Sequence, residues 1–288
     1  MATLRVILEQ ATREHWALGH FNASTLEQMR VICQVAKEVR CPAFIGTSEG
    51  ERKHLGLPEA VALRDGLRRD FGIPVFLNAD HSKSVESARA ALETGYDSVH
   101  VDLSAEPFEA NVLGTAEIEK LAHARDSELS VEGELGYLRG ESQIQHVKIP
   151  VKPEDYTKPE EAADFVDKTG VDRLAIAVGN VHGISEGEPA LAIERIKRIR
   201  QLVPHRCALV LHAGSGIPDD QIRAAIEAGI ANIHINTDIR VAFTTGLREA
   251  IAAHPEETTP YKLYPEAEEA MAEVVREKLM LFGAVGRI

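Results

Sequence analysis

Eight short apolar runs recur along the chain: Ala17 to Phe21, Pro42 to Thr47, Ile73 to Asn78, Ser98 to Val101, Leu129 to Val131, Arg173 to Val178, Ala208 to Leu211 and Ala231 to Ile235. Amphipathic stretches separate them. Leu26, Met29, Ile32, Cys33, Val35 and Ala36 form one such set, and Ile193, Ile196, Ile199 and Leu202 another, with the three- and four-residue spacings of a helix face. Continuous apolar runs suit parallel strands buried on both faces, and regular alternation supplies each strand with a crossover helix. Eight such units close a parallel barrel, so the pattern predicts an α/β fold, a single (β/α)8 TIM barrel. Barrels of this kind take about 250 residues as one domain, so residues 1–288 are expected to form a single domain. Arg139 to Lys158 is polar, contains Pro150 and Pro153, and is expected to be irregular. A connection of that length is usually a functional lid or disordered. The last apolar stripe, through Met271, Val274, Val275, Leu279, Leu281 and Phe282, either seals the barrel or pairs subunits.

Charge narrows the class of partner. With 32 basic against 45 acidic residues, net −13, the chain repels the phosphates of nucleic acid and anionic membrane, which leaves a small-molecule substrate. Met1 to Arg13 is polar and charged, unlike a signal peptide, and no run of about 18 apolar residues occurs. A soluble, cytoplasmic protein is expected. Cys33, Cys41 and Cys207 are too few for a disulfide framework and match no zinc spacing, so they read as buried reduced thiols.

The active site of such a barrel lies where the strands end. The residues that follow the runs are Asn22, Ser48, Asp80 with His81, Asp102, Glu132 with Glu134, His182, His212, and Asn236 with Thr237 and Asp238. Three histidines at converging strand ends, His81, His182 and His212, describe a catalytic metal site with an open fourth position. Zinc is the first expectation; cobalt, manganese or iron accept the same ligands. Asp80, beside His81, is the acid/base candidate or orients that ligand. Asp102 and the Glu132-Gly133-Glu134 pair either support the ligands or form an alternative metal position. His212-Ala213-Gly214-Ser215-Gly216 is a small-residue turn before the helix opened by Pro218-Asp219-Asp220, and its amides suit an anion. Asn236-Thr237-Asp238 could close the other side of that anion site.

Taken in order, Asn22, Ser48-Glu49-Gly50, Asp80-His81, Val99-His100-Val101-Asp102, Val131 to Gly136, His182-Gly183, His212 to Gly216 and Lys278 to Gly283 resemble the class II, metal-dependent ketose-bisphosphate aldolases, from near residue 4 to the C-terminus. The resemblance implies zinc on His81, His182 and His212, with Asp102 and Glu134 at a second or resting position. It implies that Asp80 moves the proton of the hydroxyl at the cleaved bond. Gly183, Gly214, Ser215, Asn236 and Thr237 would hold the substrate phosphate, with a monovalent cation nearby, and Asn22 and Ser48 join them as substrate contacts. The implied reaction is reversible cleavage of fructose 1,6-bisphosphate in glycolysis and gluconeogenesis, by a homodimer or homotetramer.

Three positions depart from the family pattern. His234 replaces an asparagine that holds the enediolate, which makes it a catalytic candidate; Glu186 replaces a lysine near the phosphate; and Arg139-Gly140-Glu141-Ser142-Gln143 replaces a Gly-Gly-x-Glu-Asp loop. These leave open another ketose phosphate, such as tagatose 1,6-bisphosphate, or a non-catalytic relative. A Schiff-base aldolase would need a desolvated strand-end lysine, for which only Lys83 qualifies, and would leave three histidines unexplained. A metal amidohydrolase would open with His-x-His where this chain has His20-Phe21-Asn22.

Overall fold

The computed structural model describes residues 2–186 and 190–288. Ten strands run in chain order: β1 (Leu18–Asn22), β2 (Ala43–Thr47), β3 (Val75–Ser82), β4 (Ser98–Val101), β5 (Ser130–Leu135), β6 (Gly140–Ile144), β7 (Arg173–Ile176), β8 (His182–Ile184), β9 (Ala208–Leu211) and β10 (Ile230–Ile235). Eight of them close a parallel barrel in the order β1-β10-β9-β7-β5-β4-β3-β2, while β6 and β8 pair separately. The helices are α1 (Leu4–Glu14), α2 (Leu26–Glu38), α3 (Glu49–Leu55), α4 (Leu57–Phe71), α5 (Val85–Thr94), α6 (Phe108–Arg125), α7 (Pro159–Thr169), α8 (Ile193–Leu202), α9 (Asp219–Glu227), α10 (Thr237–Ala253) and α11 (Pro265–Leu281). The alternation of strand and helix expected from the apolar pattern is therefore present.

The main apolar core lies between the strands and the helices, where Trp16, Phe21, Phe44, Phe165 and Phe282 are buried. The inside of the barrel is polar. Buried Arg173 reaches across it to Asn78 and Asn232 at 3.2 and 3.3 Å, to Ser130 at 3.1 Å, and to Ser98 and Glu132. Those partners come from β3, β4, β5 and β10, so their side chains face one interior. The runs are thus alternating rather than uniformly apolar: Asn78 and Asp80, Ser98 and His100, Ser130, Glu132 and Glu134, Asn232 and His234 turn inward while the residues between face the helices.

Several boundaries differ from the sequence expectation because polar inward residues belong to the strands. Asp80 and His81 lie within β3, and Glu132 and Glu134 within β5. The sixth barrel strand stops at Ile176, so His182 does not end it; His182 opens β8. The segment expected to be irregular carries β6, which registers Gly140 opposite His182, and a 3-10 turn at Pro153–Asp155. Asp155 anchors that turn through Arg139 Nε at 2.6 Å. The final stripe seals the barrel: Met271, Val275 and Leu279 are buried as α11 packs on α2, α10 and β1. No helix among the described residues is long and apolar enough to cross a membrane.

Candidate active site

Asp80 is held at the barrel mouth by two strands. Asn22, the last residue of β1, donates from Nδ2 to Asp80 Oδ2 at 3.0 Å and to Glu51 Oε2 at 2.9 Å. Glu51 also accepts from Ser48 N, and Ser48 Oγ accepts from Glu51 N, the reciprocal cap that starts α3. Ser48 therefore has a structural duty at the cavity wall. Burial alone would push the Asp80 carboxyl up, but His81, His100 and His234 around it hold it well below the usual carboxylate range.

His81 adopts φ 46°, an uncommon conformation for a residue other than glycine. It comes at an irregularity in the β3–β4 register and turns the ring to Asp102, whose Oδ2 lies 2.8 Å from Nδ1, with Glu134 Oε2 at 4.0 Å. His212 follows β9 and meets Glu132 Oε1 through Nε2 at 2.5 Å. Ring centroids of His81 and His212 are 4.8 Å apart, and that of His182 is 5.2 Å from His81. Burial, followed by the neighbouring His81, pushes the His182 imidazole down to about 3. Burial and His234 likewise keep His212 well below the usual range, and neutral imidazoles are the form that binds metals.

Four compact donor sets stand here among the described residues: Asp80, His81, His100 and His212; His81, Asp102 and Glu134; His20, Asp80 and His234; and Glu132, His212 and His234, each with ligand atoms within 4.8 Å of one another. His182 is outside these sets among the described residues. The donors fit a divalent cation on a second ground. His100 Nε2 faces Glu134 Oε2 at 3.2 Å, and His234 Nδ1 faces Asp80 Oδ1 at 3.3 Å. All four atoms are nevertheless buried without a hydrogen bond. Buried polar atoms so placed call for a further partner.

An inner cavity of about 140 Å³ collects Asn22, Ser48, Asp80, His81, His182, Gly183, His212, Ser215, His234, Asn236 and Thr237. Asp102 and Glu134 line an adjoining outer cavity of about 580 Å³, shared with His81, His182 and Ser48. Gly214 does not line the inner cavity. A Cβ there would come within 2.7 Å of Ile233, so the glycine serves the close packing of the turn on β10. Ser215 Oγ accepts from Asp238 N at 3.2 Å, which ties the turn after β9 to the start of α10.

Four residues carry weight that sequence reasoning did not give them. His100 enters the four-donor set. His20 stacks on His234, centroids 3.6 Å apart. Arg173 fixes Glu132, which in turn orients His212. Arg240 lines the inner cavity. The signal for the first three was the period-two placement of polar residues in the strands, visible in Ser98-Val99-His100-Val101-Asp102. No equivalent pattern marks Arg240.

Comparisons with known proteins point to one family. The family model described as "Fructose-bisphosphate aldolase class-II" matches residues 2–287. A fructose-bisphosphate aldolase of Geobacillus stearothermophilus is 37% identical over 100% of this chain and 98% of its own. One of Thermus caldophilus is 37% identical, covering 98% and 97%. Among solved structures, the YdjI aldolase of Escherichia coli K12 superposes with a TM-score of 0.82 at 31% identity, covering 99% and 98%.

Proposed function

Because the chain belongs to the class II fructose-bisphosphate aldolase family, a family of metal-dependent lyases acting on sugar phosphates, we propose that it is a zinc-dependent aldolase that reversibly cleaves fructose 1,6-bisphosphate to dihydroxyacetone phosphate and glyceraldehyde 3-phosphate. The observation that carries this reading is the convergence of Asp80, His81, His182 and His212 on one cavity with the Gly183, Ser215, Asn236 and Thr237 wall. Cobalt, manganese or iron would suit the same donors.

His81, His182 and His212 would hold the cation, with Asp102 and Glu134 as a second position. Bound there, it supplies Lewis-acid stabilisation of the negative charge that develops on the ketone oxygen as the carbon–carbon bond breaks. Asp80 takes the proton of the hydroxyl on the aldehyde side of that bond and returns it in condensation. Asn22 fixes Asp80 Oδ2, leaving Oδ1 for the exchange. His234, 3.3 Å from that oxygen, donates to the reacting face. The turn after β9 and the start of α10 hold the phosphate through backbone amides, with Gly183 opposite and a monovalent cation nearby. The assignment extends to a cytoplasmic homodimer or homotetramer acting in glycolysis and gluconeogenesis. A second reading, cleavage of another ketose phosphate such as tagatose 1,6-bisphosphate, is favoured by His234 and Glu186, which depart from the family pattern at the reacting face and near the phosphate.

The test is cleavage of fructose 1,6-bisphosphate by protein stripped with a chelator and then given stoichiometric zinc. Activity should vanish and return. Zinc-loaded protein without turnover on this sugar, but active on tagatose 1,6-bisphosphate, would move the assignment to the second reading; a metal-loaded protein inert on every ketose phosphate would be a non-catalytic relative.

A further inference from the structure

Arg173 is fully buried inside the barrel, and each of the five N–H groups of a guanidinium has a partner there. Nε donates to Ser130 Oγ at 3.1 Å, Nη1 donates to Asn232 Oδ1 at 3.3 Å and to Glu132 Oε2, and Nη2 donates to Asn78 Oδ1 at 3.2 Å and to Ser98 Oγ. Three of these residues also bond a histidine ring. Glu132 Oε1 meets His212 Nε2 at 2.5 Å, Asn232 Oδ1 meets His234 Nε2 at 3.3 Å, and Asn78 Nδ2 meets His20 Nε2 at 3.1 Å.

We infer that Arg173 is a positioning residue that sets which ring nitrogen carries the proton in His20, His212 and His234, and so which nitrogen His212 and His234 present to the reaction. For those two the functional half rests on the aldolase reading proposed above. A guanidinium only donates, so the amide oxygens of Asn78 and Asn232 must face it. The Asn78 amide nitrogen is then the group that meets His20, and His20 Nε2 accepts from it. Burial keeps His20 well below the ordinary imidazole range, so the neutral ring holds its one proton on Nδ1. That nitrogen is buried without a hydrogen bond. An unpaired buried donor is costly, and here the cost marks a tautomer imposed on His20 through Asn78.

Asn232 is fixed in the same way. Its amide nitrogen donates to Leu18 O at 2.8 Å and its oxygen faces Arg173, so His234 Nε2 donates to that oxygen and Nδ1 is left towards Asp80 Oδ1, 3.3 Å away. A proton taken up on Asp80 Oδ1 therefore arrives beside a ring nitrogen with a free lone pair, which gives His234 a proton to offer the reacting face. His20 stacks on His234 with centroids 3.6 Å apart and planes within 14°, and so holds the plane in which Nδ1 is offered. On the third branch Glu132, gripped by Arg173, accepts from His212 Nε2. His212 Nδ1 is left free for a cation, the arrangement by which a carboxylate behind a ligand histidine fixes its tautomer.

Imidazole nitrogen NMR of the full-length, zinc-loaded protein tests this, because protonated and bare ring nitrogens resonate far apart; His20 is assigned by the loss of its signals in His20→Phe. Wild type should carry the His20 proton on Nδ1. Asn78→Asp keeps the shape and the acceptor for Arg173 but removes the donor to His20, so the proton should move to Nε2. Arg173→Lys keeps the charge opposite Glu132 with three donors in place of five, and should free the Asn78 amide to turn, giving His20 signals of both tautomers. The same variant should hold zinc about 10- to 100-fold more weakly in chelator competition, the usual cost of losing support behind a ligand histidine. A role in charge balance alone predicts that Arg173→Lys retains fold, tautomers and zinc affinity together. That result overturns the inference, as does a His20 proton on Nε2 in wild type or one that stays on Nδ1 in Asn78→Asp, the variant that decides the matter should Arg173→Lys fail to fold. A wild type with the expected His20 proton that cleaves no ketose phosphate overturns the proposed function and leaves the hold of Arg173 on the rings in place.

Discussion

At the residue scale, Asp80 and the histidines separate by what each should lose. Asp80→Asn keeps the bond to Asn22 within reach and removes the base. Turnover is expected to fall by about 10² to 10⁴, the usual contribution of a positioned acid/base, with zinc content unchanged in elemental analysis. Near-normal turnover would remove Asp80 from the chemistry. His212→Ala should lose metal and activity together, since it removes a candidate ligand and strands Glu132 Oε1, its 2.5 Å partner. The sequence singled these residues out because three histidines follow apolar runs that converge in a barrel, where one alone is more often structural. His100 was not legible in the same way. It sits in mid-strand, where a buried polar side chain becomes sensible only once Glu134 and Asp80 are seen 3.2 and 3.8 Å away.

At the element scale, the β6–β8 pair is the part of the fold that the sequence concealed. Periodicity is weak in three- and five-residue strands, and proline-flanked polar sequence favours a loop reading. What creates the pair is close backbone approach. Gly183, at φ 85°, lies where an added Cβ would come within 2.3 Å of the carbonyl oxygens of Glu141 and Gln143. Gly183→Ala is therefore strained twice, by conformation and by contact. It should part β8 from β6, and the expected signs are faster proteolysis between residues 139 and 152 and weaker metal retention, because His182 begins β8. A variant with wild-type protease resistance and metal content would show that the barrel alone positions His182. The main strands, by contrast, were legible in number and order; their ends were misjudged wherever an inward polar residue was taken for the start of a loop, as with Asp80, Glu132 and Glu134.

At the scale of the whole molecule, the barrel interior is an ionic layer beneath the site rather than an apolar plug. Fully buried Arg173 pairs with fully buried Glu132 and extends to Asn78, Asn232, Ser98 and Ser130. Removing one partner of such a pair leaves a buried charge uncompensated and typically costs about 3–5 kcal/mol. Arg173→Met should show a loss of that order in equilibrium denaturation at neutral pH, whereas Arg173→Met with Glu132→Gln should recover much of it. The acid side gives an independent check. Burial pushes the Glu132 carboxyl up, yet Arg173 and the imidazoles of His100, His212 and His234 hold it well below the usual range. A depressed folded-state pKa stabilises the fold above the unfolded value, about 4.3, and that stabilisation is lost as pH falls through the folded value. Without Arg173 the burial effect gains on the remaining charges, the Glu132 pKa rises, and protonation relieves part of the cost. The stability gap between wild type and Arg173→Met should be widest near neutrality and narrow on acidification. A gap independent of pH would mean that Arg173 stabilises the barrel by packing and neutral hydrogen bonds, and that the charge on Glu132 is balanced by the histidines of the site itself.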